Sequence, residues 1–373
     1  MALTPINTLE DLYDYLYAAI QLEHATIPPY LTAMYSIMPE HNLEAYNLIR
    51  VVVVEEMLHL TLSANILNAI GGTPDLSRAD FCPLYPAYLP SGETDFTVSL
   101  EKFSKNCIET FLNIERPAKS PEKVGKQPHF LKKPLKEMGG NYILPTVQHD
   151  DGEHYHFYSI GEFYHAIEEG LEKIAAEIGE DALFCGDASK QITSDFYYSG
   201  GGEIITVTDL ASAKAAIRLI SEQGEGYEGG IFDYEGELAH YYRFEQLILG
   251  KYYHPGDEAG KPSGEPLDID WNAVYPILTN ARLEDYPENS EVRRAAADFN
   301  QVYKTFLDKL TKAFNGAPET LIPAVSDMFV IKDKMYQIVR NPAPGTAGNN
   351  AAPTFELSLV SEQVKATEGL SYE

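Results

Sequence analysis

Apolar residues recur at helical spacing over much of the chain. Leu9, Leu12, Leu16, Ala19 and Ile27 share one stripe with Glu23, in a helix opened by a capping-box pattern at Thr8 and Asp11. Pro28-Pro29 is expected to bend or stop it. From about Glu40 to Ile70 a second helix is apolar nearly all round, with Val51 to Val54, Leu58, Leu60, Leu62, Ile66 and Leu67, and Gly71-Gly72 ends it. Such a helix belongs in a core. A third, from about Ser159 to Ile178, carries the stripe Phe163, Ile167, Leu171, Ile174 and Ile178. Asp209 to Gln223 reads as a further helix stopped by Gly224, and a fourth bundle helix begins near Glu235, with Glu237, His240, Tyr241, Phe244 and Ile248 on one face.

The segments between are of a different kind. Residues 71–157 hold nine prolines and one expected helix, Leu100 to Glu115, and read as loops crossing the bundle. Residues 184–234 form an insertion in which 191–208, with Gly200-Gly201-Gly202, reads as short strands or loop. After a Pro- and Gly-rich linker from Lys251 to Asp270, two amphipathic helices follow, one marked by Val292, Ala296, Phe299, Tyr303, Phe306 and Leu310, the other spanning Leu321 to Val339. A coil-like stretch, Asn341 to Pro353, comes after them. The expected fold is mainly α: a four-helix bundle within 1–250, a long crossover, a small β/loop insertion, and a C-terminal helical extension, 251–373, packed on the bundle.

At 373 residues and 44% hydrophobic the chain can bury a large core. A net charge of −28 opposes binding to nucleic acid or anionic membranes. The most apolar run, Val51 to Ile70, contains Glu55, Glu56 and His59 and is not a membrane span. Cys82, Cys107 and Cys185 form neither a disulfide framework nor a zinc ribbon, which fits a reducing cytoplasm. Lysines between Arg116 and Lys136 make a basic stretch, read first as a solvated loop. The stretch Gln148 to His156, with His149, His154 and His156, is explained by an Asp-Gly turn and strand alternation.

Charge inside the apolar helices carries the chemistry. Glu56-Met-Leu-His59 and Glu237-Leu-Ala-His240 each place a carboxylate and an imidazole on one helix face. Four Glu-x-x-His strings occur where 36 Glu and 10 His would give roughly one by accident, so context must decide. An unpaired buried carboxylate at Glu56 costs several kcal/mol, which a divalent cation relieves. Glu23, on the preceding helix, would supply half of a dinuclear site, and the second string would close the other half. On the third helix Glu162, His165 and Glu169 lie off the apolar stripe, and periodicity does not choose among them.

The strings Gln21-Leu-Glu-His-Ala-Thr-Ile-Pro-Pro-Tyr30 and Glu55-Glu-Met-Leu-His-Leu60 resemble the ferritin-like domain of the iminophenyl-pyruvate dimer synthase family. Ser159-Ile-Gly-Glu-Phe-Tyr164, Gln223-Gly-Glu-Gly226 and Glu237-Leu-Ala-His-Tyr-Tyr-Arg-Phe244 are similar to further signatures, so the resemblance covers about residues 8 to 250. It implies a ferritin-like four-helix bundle with metal ligands Glu23, Glu56, His59, Glu237 and His240. It also favours Glu162, with Glu225, Glu169 and Glu115 as substitutes. The family's named members couple oxidised tryptophan units in violacein-type pathways and are far longer than this chain, so that dimerisation itself is not expected here.

Four carboxylates and two imidazoles would hold two divalent metals with open positions, which suits iron, or alternatively manganese. The expected function is a diiron oxidoreductase using oxygen on a small amino-acid-derived or aromatic metabolite in secondary metabolism. Its expected surroundings are the cytoplasm, an electron-donor protein and a homo-oligomer. The alternative is a metal-binding or iron-handling protein, or a scaffold, without an organic substrate.

Overall fold

The structure is a computed structural model and describes residues 6–78, 80–90, 96–117, 157 and 159–357. The basic stretch beyond Pro117 and the histidines at 149, 154 and 156 lie outside the described residues. Its helices are α1 (Leu9–Ser36), α2 (Leu43–Ala69), α3 (Lys105–Ile114), α4 (Ile160–Ile178), the single turn α5 (Glu180–Leu183), α6 (Leu210–Glu225), α7 (His240–Leu249), α8 (Glu291–Ala313) and α9 (Leu321–Val339). Among the described residues no helix is long and apolar enough to cross a membrane.

Helices α1 and α2 form the spine. The Tyr13 hydroxyl donates to Ile70 O at 2.9 Å and the Tyr35 ring meets Tyr46, so the two run antiparallel. Glu23 therefore faces His59 near the middle of both. The capping box expected at Thr8 and Asp11 is present. Pro28 and Pro29 do not stop α1, which continues to Ser36. The reason is local: a proline at 29 frees the carbonyl of Ala25, and the buried Tyr85 hydroxyl donates to that oxygen at 2.7 Å.

Among the described residues no second long pair completes the bundle. Instead two shorter pairs share the length of the spine. Helices α4 and α6 pack together beside one part of it, with Phe163 stacked on Tyr15 at 5.7 Å. Helices α3 and α7 pack together beside the other, where Phe111 and Phe244 lie 4.5 and 5.4 Å from Tyr30. Residues 15 and 30 of α1 stand roughly 22 Å apart along its axis at the ordinary helical rise. The ends of four helices thus meet over the centre of the spine.

The insertion contains loop and helix, and among the described residues only isolated β-bridges occur, so of the two forms expected for 191–208, short strands or loop, it takes the loop. Buried amides replace a ladder: Asn65 bonds Ile192 O, Ile192 N and Ile205 O, while Gln191 brackets Val207 N and O. The C-terminal layer is α8 packed on α9, and it joins the spine through His24 Nε2, 3.0 Å from the Tyr303 hydroxyl. Apolar burial is continuous from Ile6 to Leu357, across residue 250. Of the stretch expected as coil, Asn341 to Asn350 is turns and mostly unburied, whereas from Ala351 the chain is without regular structure but buried as far as Glu356, with Asn300 Nδ2 bonded to Thr354 and Glu356 accepting from Leu283 N.

Candidate metal centre

Buried acids and imidazoles converge where the helix ends meet. Helix α1 contributes Glu23 and α2 contributes Glu56 and His59 on adjoining turns of one face. Glu115 caps the C-terminus of α3, and His240 is the first residue of α7. Among the described residues these five form two groups sized for an ion, Glu23 with Glu56 and His59, and Glu56 with Glu115 and His240. Each is buried, and Glu56 belongs to both groups.

The imidazoles face inward through the same nitrogen. His59 Nδ1 lies 3.5 Å from Glu23 Oε2 and 3.8 Å from Glu56 Oε1. His240 Nδ1 lies 3.0 Å from Glu56 Oε1 and 3.4 Å from Glu115 Oε2. The two rings stand 5.4 Å apart at 25°. Their outer nitrogens are occupied: His59 Nε2 meets Gln223 Oε1 at 2.9 Å, and His240 Nε2 meets Glu55 Oε2 at 2.8 Å. Accepting partners outside hold a proton on Nε2 and leave Nδ1 as the nitrogen turned toward the carboxylates, where it carries a second proton in the metal-free protein and would give its lone pair to a cation.

The carboxylates are fixed by donors. The Thr26 hydroxyl lies 2.8 Å from Glu56 Oε2, which leaves Oε1 turned toward both imidazoles. Tyr30 donates to Glu115, and Tyr164 donates to Glu23 while sharing a 2.8 Å bond with Ser63. Burial, then the neighbouring carboxylates, holds both phenols well above the usual tyrosine range, so they remain donors.

Electrostatics expose a shortage of positive charge. Burial, reinforced by Glu115, pushes Glu56 up to about 8 despite the opposing pull of His240. Burial alone would lower both histidines, but the charge of Glu115, with the bond to Glu55 and the closeness of Glu56, raises His240 well above its ordinary value, and Glu23 raises His59. Glu55 goes the other way: burial favours its neutral form, yet the bond from His240, with the charges of His240 and Arg243, holds it below the usual range. His240 Nδ1 makes no hydrogen bond despite its closeness to Glu56. An imidazole nitrogen facing the two buried carboxylates of Glu56 and Glu115 is a cation-binding arrangement, and the oxygen and imidazole donors fit iron or manganese.

The expected residues Glu23, Glu56, His59 and His240 come together, whereas Glu162 and Glu237 lie outside both groups. Glu237 precedes α7, whose N-cap is Ala239, so the i, i+3 geometry of one helix face does not apply to it. It is 65% exposed and pairs with Arg243 at 3.3 Å. Arg243 in turn lies 3.5 Å from Glu55, so Glu237 stands at the outer end of a chain leading to His240. Glu162 sits half-buried in the first turn of α4, its N–H donated to the Ser159 hydroxyl. Glu169 is an exposed partner of His165.

Two of the substitutes have come inward. Glu115 is in the cluster, and Glu225, at the end of α6, lines the same small cavity as all five. Gly161 donates its N–H to Glu225 Oε1 at 2.7 Å, and a Cβ at 161 would lie 2.4 Å from that oxygen, so a larger residue there would displace the Glu225 carboxylate. Glu55 and Gln223, which hold the imidazoles, were not singled out by periodicity. For the first, the Glu55-Glu56 doublet is a signal, since one turn of an apolar helix carries two acids.

The chain is similar to known proteins. It is 25% identical to dichlorochromopyrrolate synthase of Lentzea aerocolonigenes over 81% of its own length, and it spans 29% of that longer protein. Its fold matches the crystal structure of a ferritin-like protein from Caulobacter vibrioides, with a TM-score of 0.59 at 24% identity, covering 90% of this chain and 97% of the other. The ferritin-like family model matches residues 16–249, a span that holds every residue of the cluster. With buried acids and imidazoles gathered on a helical spine and that match over most of the chain, the protein belongs to the ferritin-like family.

Proposed function

We propose that this protein is a dinuclear metal-dependent oxidoreductase, with iron as the working metal and oxygen as co-substrate, acting on a small amino-acid-derived or aromatic metabolite. The observation that carries the reading is the inward convergence of His59 Nδ1 and His240 Nδ1 on Glu56, with Glu23 and Glu115 beyond them. Glu23 and His59 would hold one metal, Glu115 and His240 the other, and Glu56 would serve both. Glu225 lines the same cavity and is a further carboxylate available to the pair. When loaded with two ferrous ions, such a centre supplies two electrons to oxygen.

The chain's own residues do the rest. Tyr30, Tyr164 and Thr26 hold the carboxylates in place, and the surrounding apolar side chains exclude bulk water. The cavity reaches outward between Ile160-Gly161 at the start of α4 and Ile220, Ser221 and Gly224 at the end of α6, which is the proposed route to the centre. The similarity to a synthase of dichlorochromopyrrolate supports a small-molecule substrate. An electron-donor protein would resupply the electrons.

The test is oxygen consumption by the reduced, iron-loaded protein, with and without a panel of aromatic amino acids and their oxidised derivatives. Consumption coupled to substrate loss is expected. Consumption that tracks only added ferrous iron, whatever organic compound is present, would assign the site to iron handling instead.

A further inference from the structure

The two imidazoles are held from outside by chemically unlike partners. His59 Nε2 meets the side-chain oxygen of Gln223, and the amide is oriented because Gln223 Nε2 donates to Gly201 O at 2.8 Å. Gly201 takes φ +79°, and its Cβ position lies 3.0 Å from Glu55 Cα, so the loop that supplies this carbonyl is pressed against α2. His240 Nε2 meets a carboxylate oxygen of Glu55 instead, and Arg243 lies 3.5 Å from that carboxylate's other oxygen. Both outer partners are buried.

An anionic acceptor on Nε2–H makes the opposite nitrogen a stronger base than a neutral amide does, and partners of this kind are worth about 10- to 100-fold in metal affinity. The inner carboxylates do not offset the difference, since each histidine faces one carboxylate of its own together with the shared Glu56. We propose that Glu55 and Gln223 are positioning residues that make the two metal positions unequal. The position of His240, Glu56 and Glu115 fills first, and that of His59, Glu23 and Glu56 fills second. This inference rests on the dinuclear reading above, and a half-loaded protein holds its ion on the His240 side.

The test is titration of metal-free, full-length protein with Mn(II), the free ion being read from its paramagnetic resonance signal. The parent is expected to bind two ions, the first at least about ten-fold more tightly. His240→Ala should remove the tight phase and His59→Ala the weak one. Glu55→Gln should weaken the tight phase by about 10- to 100-fold and leave the weak phase in place. Gln223→Glu should tighten the weak phase, a gain that structural damage cannot imitate. Two phases assigned to the opposite histidines, a Gln223→Glu protein whose weak phase is unmoved, or a Glu55→Gln protein in which both phases shift alike would overturn the inequality. A parent that binds fewer than two ions would overturn the dinuclear reading itself and, with it, this inference.

Discussion

His240 Nδ1 lies 3.0 Å from Glu56 Oε1, yet the two belong to helices that meet only because α7 begins beside the middle of α2. The same carboxylate oxygen faces His59, so Glu56 is the shared element of the centre. Its burial and its acidic neighbours make the metal-free protein sensitive to pH.

The sign of that sensitivity follows from Glu56, whose carboxyl rises to about 8 in the folded chain from an ordinary 4.5. A raised folded value means that the folded state holds the proton more tightly. The resulting stability is full below the unfolded value and is lost as pH climbs through about 8. His59 and His240, also raised, act in the same direction. The melting temperature of metal-free protein should therefore fall between pH 5 and 9. Mn(II) should suppress the fall, because binding replaces the protons, and Glu56→Gln should flatten it. Equal slopes for the parent and Glu56→Gln would remove Glu56 from the account.

His24 sets an opposite limb. Burial lowers its imidazole to about 3, so it is neutral in the folded protein, bonded to Tyr303. Its contribution to stability is present above the ordinary value of 6.5 and is lost as pH falls toward 3. Acid denaturation of His24→Gln should be shallower over that window than that of the parent, measured by far-ultraviolet circular dichroism. An unchanged acid limb would mean that other groups set it.

Tyr164 should matter to both fold and metal. Replacing it by Phe keeps the ring against Phe163 but removes the donor to Glu23 and the partner of Ser63. A cost of about 1–3 kcal/mol in urea denaturation is expected from the lost bond, together with about ten-fold weaker metal binding. Metal affinity equal to the parent's would show that Glu23 needs no such support.

The helical pattern made much of the spine and the C-terminal layer legible. The stripe through Glu23 and the all-round apolar helix carrying Glu56 and His59 correspond to α1 and α2, because long helices with a buried face print their period on the sequence. The remainder of the site was not legible in that way. Glu115 caps a short helix, Gln223 and Glu225 end another, and His240 starts a third, so each has turns on one side of it only and sits where the helical period stops or starts. Glu237 shows the same limit in reverse: the spacing to His240 was right for a helix that begins three residues too late to include it. Pro28-Pro29 reads as a bend or a stop because the compensating donor, Tyr85, lies on a distant loop.

The most direct test of the central claim is metal content per chain, by elemental analysis, of the parent, Glu115→Ala and Glu237→Ala loaded with iron or manganese under identical conditions. The account predicts about two ions in the parent, as the two sets of ligands around Glu56 require. Glu237→Ala should match the parent within measurement error, and Glu115→Ala should lose at least one ion. A parent that cannot be loaded, or a Glu237→Ala protein as depleted as Glu115→Ala, would contradict it.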